Sequence, residues 1–429
     1  MRYLTSKQIL IIPTFITLSL WLLSKKGILE ITNDPLRSLS QIFSLIGLMY
    51  MMISLVLSTR KRFIEDFIGG LDKAYEMHHL VGSLAFVLLV NHPLLLAVKA
   101  LPHASAASQY VLIGSFLPYN LGVIAIYLMI LAFVFMIFIK LPYHIWLRTH
   151  QLLGFAGIIG SIHALLITSD ISLYFPLRAW MFFWASIGTI SFLYIFIYYK
   201  WIASVYVYEI SKIARILDVV NIYAKPTKRK IPFVPGQFAY VGFKNKNLGG
   251  EQHPFSFSSA PQEEEIRFSI KMLGDYTVKL PLLTKGDKMY IKGPYGKFGD
   301  VYIKGKRPLV WIVGGIGVTP FLSMLRNEKQ LIDERSIVLF YCFSSPEEGM
   351  FSEEIKQLIE NKKTIEVHEW CSAERGRFSV PKILEILEKY DTYDVQICGP
   401  GPMMESLKQQ FEEIGVNDDR IIFEKFQMV

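Results

Sequence analysis

Apolar runs of roughly twenty residues, the length a membrane-spanning helix needs, dominate the chain up to about residue 203. Beyond that point the pattern changes to short alternating strands and amphipathic helices. Apolar runs stand out at residues 9–24, 38–58, 76–98, 119–139, 146–168 and 178–200, which predicts a six-helix transmembrane bundle over 1–203. Arg2 and Lys7 precede the first run, but no small-x-small cleavage site follows in WLLSKKG, so that run reads as an uncleaved anchor. From 205 to 301 short strands are broken by Pro and Gly, the pattern of a small antiparallel β-barrel over 204–302. From about 307, strands such as LVWIV and SIVLFYCF alternate with helical stretches such as EEIKQLIEN, which predicts an α/β domain with a parallel sheet over 303–429.

Charge orients the bundle. Arg60, Lys61, Arg62, Lys73, Lys140 and Arg148 fall in loops on the side shared by the N-terminus and the polar half. The positive-inside rule then makes both termini cytoplasmic, in an integral cell-membrane protein of six spans. The formal net charge of +8 needs no nucleic acid to explain it, because much of the basic excess of the membrane half lies in those short loops. The lipid bilayer is the partner this composition calls for. The cysteines, Cys342, Cys371 and Cys398, all lie in the polar half without pairing motif or metal spacing, as in a reducing cytosol.

Histidine supplies the candidate chemistry of the membrane half. His78 and His92 are 14 residues apart in the third run, and His150 and His163 are 13 apart in the fifth. Each interval covers roughly 20 Å of helix, so each pair places one imidazole near either leaflet. The third and fifth runs point the same way, so His78 meets His150 at the inner level and His92 meets His163 at the outer level. Imidazoles in hydrocarbon need a partner, and two apposed pairs suit two stacked b-type haems, each iron ligated from both sides. Helical phase suits the third run, where fourteen residues return to within about 40° of one face, and not the fifth, where thirteen miss by about 140°. The fifth run must bend, carry a π-bulge, or present its histidines from different sides. Gly154, Gly157 and Gly160 there would let a flat macrocycle approach. His79 stays open as an alternative inner ligand to His78.

In the polar half, Pro235-Gly236-Gln237-Phe238 is followed by His253-Pro254-Phe255-Ser256-Phe257-Ser258-Ser259, then Ile270-Lys271-Met272-Leu273-Gly274-Asp275-Tyr276-Thr277, then Gly293-Pro294-Tyr295-Gly296. This order resembles the flavin-binding barrel of the ferredoxin-NADP reductase superfamily. Its His-Pro-Phe form resembles the transmembrane branch, the NADPH oxidases and ferric reductases. The resemblance implies bound FAD, with His253 in the motif, Pro254 and Phe255 shaping the flavin edge and Ser256 placing a hydroxyl near the reactive ring nitrogen. It gives Lys271, Gly274 and Thr277 to the pyrophosphate, and such a loop suits an anion, because a backbone without Cβ, a lysine and a hydroxyl all offer donors.

Gly314-Gly315-Ile316-Gly317-Val318-Thr319-Pro320 follows the strand LVWIV and opens a helix, an arrangement of amides suited to a dinucleotide pyrophosphate. Cys398-Gly399-Pro400, with Met403 after it, resembles the nicotinamide half of the same superfamily, which puts Cys398 near the nicotinamide. Phe426 resembles the family's closing aromatic over the flavin. Ser344 and Ser345 stand where phosphate-selective members carry an arginine, and Arg375 or Arg377 can supply charge to a 2′-phosphate. NADPH is therefore the expected donor, with NADH tolerated.

The resemblance implies a transmembrane NAD(P)H oxidase that passes electrons from cytosolic NADPH through FAD and both haems to extracellular oxygen, giving superoxide. Arg37 begins the second run on the outer side. It reads either as an anchor for an oxygen-derived anion or as an interfacial snorkelling residue. A ferric-chelate reductase with the same electron path is the alternative, and a haem relay subunit that needs a protein partner is a further one. No obligatory protein partner is expected.

Overall fold

A computed structural model of the chain describes residues 6–101, 103–199, 205–246, 248, 250–327 and 335–424. Among them, the first half is carried by the long helices α1 (Ser6–Leu23), α2 (Pro35–Leu57), α3 (Leu71–Ala100), α4 (Leu117–Phe138), α5 (Tyr143–Leu166) and α6 (Phe175–Leu193), the last continued by a π-helical turn at Tyr194–Tyr199. Their starts follow local chemistry. Asp34 caps α2 by accepting from the Arg37 amide, and Pro35, Pro118 and Pro176 sit in first turns, where a missing N–H costs nothing. Among the described residues five helices, α2 to α6, are long and apolar enough to cross a membrane. The expected first span is α1, whose apolar stretch Gln8–Leu23 is shorter than the rest.

The bundle is built from antiparallel pairs. α3 lies along α2, and α5 along α4, with α6 packed on α2. In the first pair, Ser40 meets His92 and Ser54 meets His78, so small or polar residues recur every seven positions (Ser40, Gly47, Ser54) against the face of α3 that carries its histidines. A seven-residue repeat keeps one seam facing its partner when the helices wind gently about each other. A Cβ on Gly47 would meet Leu89 at 2.9 Å, so the helices approach closely there.

The chain divides into two compact units, Met1–Ala203 and Ser204–Val429. The residues at the expected junction, 200–204, lie outside those described. The second unit holds an antiparallel sheet in the order β4-β3-β6-β1-β2-β5, from β1 (Tyr206–Ile216), β2 (Val219–Pro226), β3 (Phe238–Lys244), β4 (His253–Ser256), β5 (Ile266–Lys271) and β6 (Lys288–Tyr295). The expected barrel does not close as a continuous ladder. The edge strands β4 and β5 touch through the single bridge Phe257–Phe268, because β4 is short and its Pro254 has no N–H to offer a second neighbour.

A parallel sheet follows in the order β11-β10-β7-β8-β9, from β7 (Leu309–Gly314), β8 (Ile337–Phe343), β9 (Ile365–Cys371), β10 (Asp394–Cys398) and β11 (Ile421–Phe423). α7 (Thr319–Leu325), α8 (Ser352–Ile359) and α9 (Gly401–Glu413) cover it. Its core includes Trp311, Phe321 and Tyr341 and reaches back to Phe298 and Tyr302, ahead of the boundary expected at residue 302.

The two sheets are tied by charge. Arg267 on β5, its side chain 5% exposed, makes a bidentate pair with Glu354 on α8 at 3.0 and 2.7 Å, and Arg326 adds two bonds at 2.8 and 3.3 Å. Burial pushes the Glu354 carboxyl up, but hydrogen bonds and charge from Arg267 and Arg326 outweigh it and hold it below the usual carboxylate range. Its contribution is therefore complete at neutral pH and is lost as pH falls through that lowered value. Glu354→Gln is expected to destabilise the second unit by about 3 kcal/mol at neutral pH, since it strands a buried guanidinium. The loss should shrink toward acid pH. Pulse proteolysis of the full chain in urea at pH 7 and pH 4 measures both.

Candidate functional site

In the membrane unit the rings of His78 and His150 lie 5.8 Å apart at an interplanar angle of 63°. His92 and His163 stand within electrostatic reach of one another. Each ring is held through Nδ1. His78 Nδ1 lies 2.8 Å from the Ser54 hydroxyl and 2.9 Å from the Ser54 carbonyl, and His92 Nδ1 lies 2.7 Å from the Ser40 hydroxyl and 3.0 Å from the Ser40 carbonyl. His163 Nδ1 meets the Pro118 carbonyl at 2.7 Å, while His150 Nδ1 meets only the Met136 thioether, at 2.9 Å, and its ring stacks on Trp146. A carbonyl can only accept, so Nδ1 carries the proton in three of these rings and Nε2 keeps its lone pair. Among the described residues Nε2 of these four rings has no hydrogen-bond partner. A metal-ligating histidine is held in this way.

The fifth run carries no π-bulge. α5 is α-helical throughout, and His150 and His163 reach different partners on α4. Gly122 on α4 makes room for His163, since a Cβ there would meet its ring at 3.0 Å. Gly154 and Gly157 serve helix packing instead of a macrocycle, because a Cβ at the first would strike Phe192 and at the second Met52. His79 is exposed and lacks the serine contacts that hold His78. Arg37 is exposed in the first turn of α2, near Tyr119. Phe86 on α3 and Phe133 on α4 stack between the two histidine levels. Among the described residues no group of three His, Cys, Asp or Glu side chains is set to hold a metal ion, and the His79 ring lies 5.9 Å from that of His78.

In the antiparallel sheet, β4 carries His253, Pro254, Phe255 and Ser256. Ser256 pairs with Phe238, is 4% exposed, and its hydroxyl has no hydrogen-bond partner. An orphaned buried hydroxyl marks a place where a polar group belongs. His253 stacks on Tyr276 and pairs with Glu251. The Thr277 hydroxyl accepts from the amides of Leu273 and Gly274 at 2.9 and 3.0 Å, so those donors close the turn, while the Cα of Gly274 faces open space. Lys271 is directed to Asp218 and Glu348, at 3.2 and 3.7 Å, and lines a small cavity with Gly315, Ile316 and Tyr341. It stands with the glycine turn of the parallel sheet.

That turn is built on close approach. A Cβ on Gly314 would meet Pro400 at 2.8 Å, and one on Gly317 would meet the Cys398 carbonyl at 2.3 Å, so these glycines let the ends of β7 and β10 touch. Gly399 closes the same contact from the other side. Of the turn's glycines only Gly315, at φ +52°, faces open space at its Cα, and it is half-buried. Thr319 and Pro320 are buried, the Thr319 hydroxyl bonded to the Ile316 carbonyl. The exposed Ser344 accepts the Ala373 amide through its carbonyl, which brings the loop after β8 beside the loop carrying Arg375 and Arg377, both exposed.

Cys398 is fully buried, its thiol near the Glu424 carbonyl at 3.9 Å, and Glu424 points its carboxylate toward Gly296. Sequence reasoning passed over Glu424, because one acidic residue near a C-terminus carries no pattern. Phe426 lies outside the described residues. Burial, and then the Glu424 charge, pushes the Cys398 thiol well above its usual range. With Cys342 and Cys371 buried as well, the folded chain should yield under one thiol to a maleimide in minutes at pH 7.5 and all three in denaturant.

Family models match three consecutive stretches: a ferric reductase like transmembrane component over 43–161, an FAD-binding domain over 201–298 and an oxidoreductase NAD-binding domain over 311–409. Among curated relatives, a flavodoxin/ferredoxin–NADP reductase of Buchnera aphidicola is 32% identical over 198 residues, covering 42% of this chain and 79% of its own. The anthranilate 1,2-dioxygenase electron transfer component of Acinetobacter baylyi is 26% identical over 219 residues, 48% of this chain and 62% of its own. The chain thus spans about three fifths of the length of the first such relatives, matching them with about half of itself. A flavohemoglobin structure from Malassezia yamatoensis is 18% identical, with a TM-score of 0.53, covering 91% of this chain and 98% of its own, a likeness of fold alone. The order of these matches, with the apolar helices and the two sheets, is the architecture of the ferric reductase and NADPH oxidase type of flavocytochromes, and the chain is an oxidoreductase.

Proposed function

We propose that the chain is a transmembrane NAD(P)H oxidase, with electrons from NADPH on the cytoplasmic side reducing oxygen to superoxide on the other. Bound nicotinamide would supply hydride, FAD would convert the two-electron donor into single electrons, and two b-type haems would carry these across the membrane. The observation that carries this reading is the meeting of His78 and His150. At the 5.8 Å observed between their rings, these two imidazoles would be placed to hold one iron between them. The donor set fits as well, because each Nδ1 is engaged and each Nε2 is available.

His78 and His150 would hold the inner haem, His92 and His163 the outer. This assignment takes α1 as a sixth span and places both termini in the cytoplasm. In the second unit the Ser256 hydroxyl would donate to the flavin, with Pro254 and Phe255 at its edge and His253, Gly274 and Thr277 toward its phosphates. Gly315, flanked by Gly314 and Gly317, would take the nicotinamide dinucleotide's phosphates with Lys271. Cys398, Gly399 and Pro400 would wall the nicotinamide side, where a small, protonated thiol leaves room and brings no charge. Ser344 and Arg377 would receive the 2′-phosphate, NADH being accepted less well.

Ferric-chelate reduction is the second reading, favoured by the match of the membrane helices to a ferric reductase like component. Both readings give Arg37 the task of attracting an anionic species at the outer face. An anaerobic spectrum of the purified chain before and after NADPH, followed by admission of air, separates them. Fast reoxidation with dismutase-sensitive probe reduction supports the oxidase, and air-insensitive reduced haem that ferric citrate reoxidises supports the reductase. A chain with no Soret band refutes both.

Two variants test the residues. His150→Ala should lose one of two haem components while NADPH still reduces the flavin. Ser256→Ala should slow flavin reduction about a hundredfold in anaerobic stopped-flow. It should leave the flavin-free chain as stable or up to about 1 kcal/mol more stable, since the hydroxyl is buried without a partner.

A further inference from the structure

Ser40 and Ser54 are buried on α2, 0% and 4% exposed, and each faces one histidine of α3. The contact is the same twice. One Nδ1 sits between the hydroxyl and the carbonyl of a single serine, at 2.8 and 2.9 Å for Ser54 with His78 and at 2.7 and 3.0 Å for Ser40 with His92. At Ser40 the hydroxyl proton goes to the carbonyl of His92 itself, at 2.9 Å, so the oxygen lone pairs are what face Nδ1. Both acceptors then act on one N–H, which fixes tautomer and ring rotation together. The α5 histidines lack this arrangement: His163 has one carbonyl and His150 one thioether, a weak acceptor.

We propose that Ser54 and Ser40 are positioning residues that lock His78 and His92, respectively, and raise the electron density each imidazole offers its haem iron. The inference rests on the two-haem reading given above. Its logic is that acceptors on the distal N–H of a ligating imidazole make the ring more basic, which favours the oxidised metal. Without the hydroxyl, the affected haem should be reduced at a more positive potential. The serines lie 14 residues apart on one helix, roughly 20 Å, so each should act on its own haem only, and a double variant should show both shifts independently.

The test is potentiometric titration and low-spin EPR of the full chain in detergent, comparing the parent with Ser54→Ala, Ser40→Ala and the pair. Each single variant is expected to move one haem component to more positive potential, change its EPR signal, and speed its haem loss about tenfold, leaving the other component as in the parent. Thr and Val at the same positions form a matched pair of nearly equal shape with and without the hydroxyl. Thr should hold the parent values and Val should not, which decides the matter if the alanine variants assemble poorly. Two bound haems whose potentials and EPR signals stay at parent values in every variant overturn the serine assignment alone. A parent chain that binds no haem overturns the two-haem reading, and this inference with it.

Discussion

An imidazole inside an apolar helix bundle must give its N–H to an acceptor, because an unpaired polar group in hydrocarbon costs several kcal/mol. The membrane unit meets that demand with backbone carbonyls at the crossing points of helix pairs. Ser54 and Ser40 on α2 serve α3, and Pro118 on α4 serves α5. Each bond sets the register of a helix pair as it orients a ring. A slip by one residue in the α2–α3 seam would remove both serine contacts at once and put Leu89 against a different neighbour than Gly47.

The same logic produces an uneven donor set. His92 and His163 both lean on carbonyls, whereas His150 leans on the Met136 thioether and on the face of Trp146. The level of His78 and His150 is thus held more softly than the level of His92 and His163. Near the first level the Arg60 guanidinium donates to Tyr75 at 2.6 Å, and Tyr75 stands edge-on to His78, so a cation is part of that environment.

In the second unit, close backbone approach does comparable work. The parallel sheet reverses its strand order between β7 and β10, and ligands of such sheets bind where the order reverses. Gly314, Gly317 and Gly399 bring those two strand ends into contact, which leaves Gly315 as the glycine of the turn that faces open space, while Cys398 is fully buried against Gly317. The Arg267–Glu354–Arg326 cluster ties this sheet to the antiparallel one, and Lys271, from the last strand of the antiparallel sheet, reaches the glycine turn. Lys271, which motif order set beside Gly274, thus lines the same small cavity as Gly315.

Much was legible in the amino-acid order. Hydrophobic run length determined where the helices lie, because spanning length is a property of one segment, and the two histidine intervals determined the levels at which imidazoles stand, because rise per residue is constant. Strand alternation and the glycine motifs likewise located both sheets. Ser40 and Ser54, spaced like His78 and His92, were present as a signal but unreadable without knowing that α2 and α3 run antiparallel in that register. Gly154 and Gly157 could not be told from cofactor-facing glycines, since only packing shows that Phe192 and Met52 fill their space. The tertiary structure alone decided which nitrogen of each ring is engaged, which glycine faces open space and which residues line the cavity beside Lys271. Those depend on contacts between segments far apart in the chain, and periodicity within one segment carries no record of its neighbours.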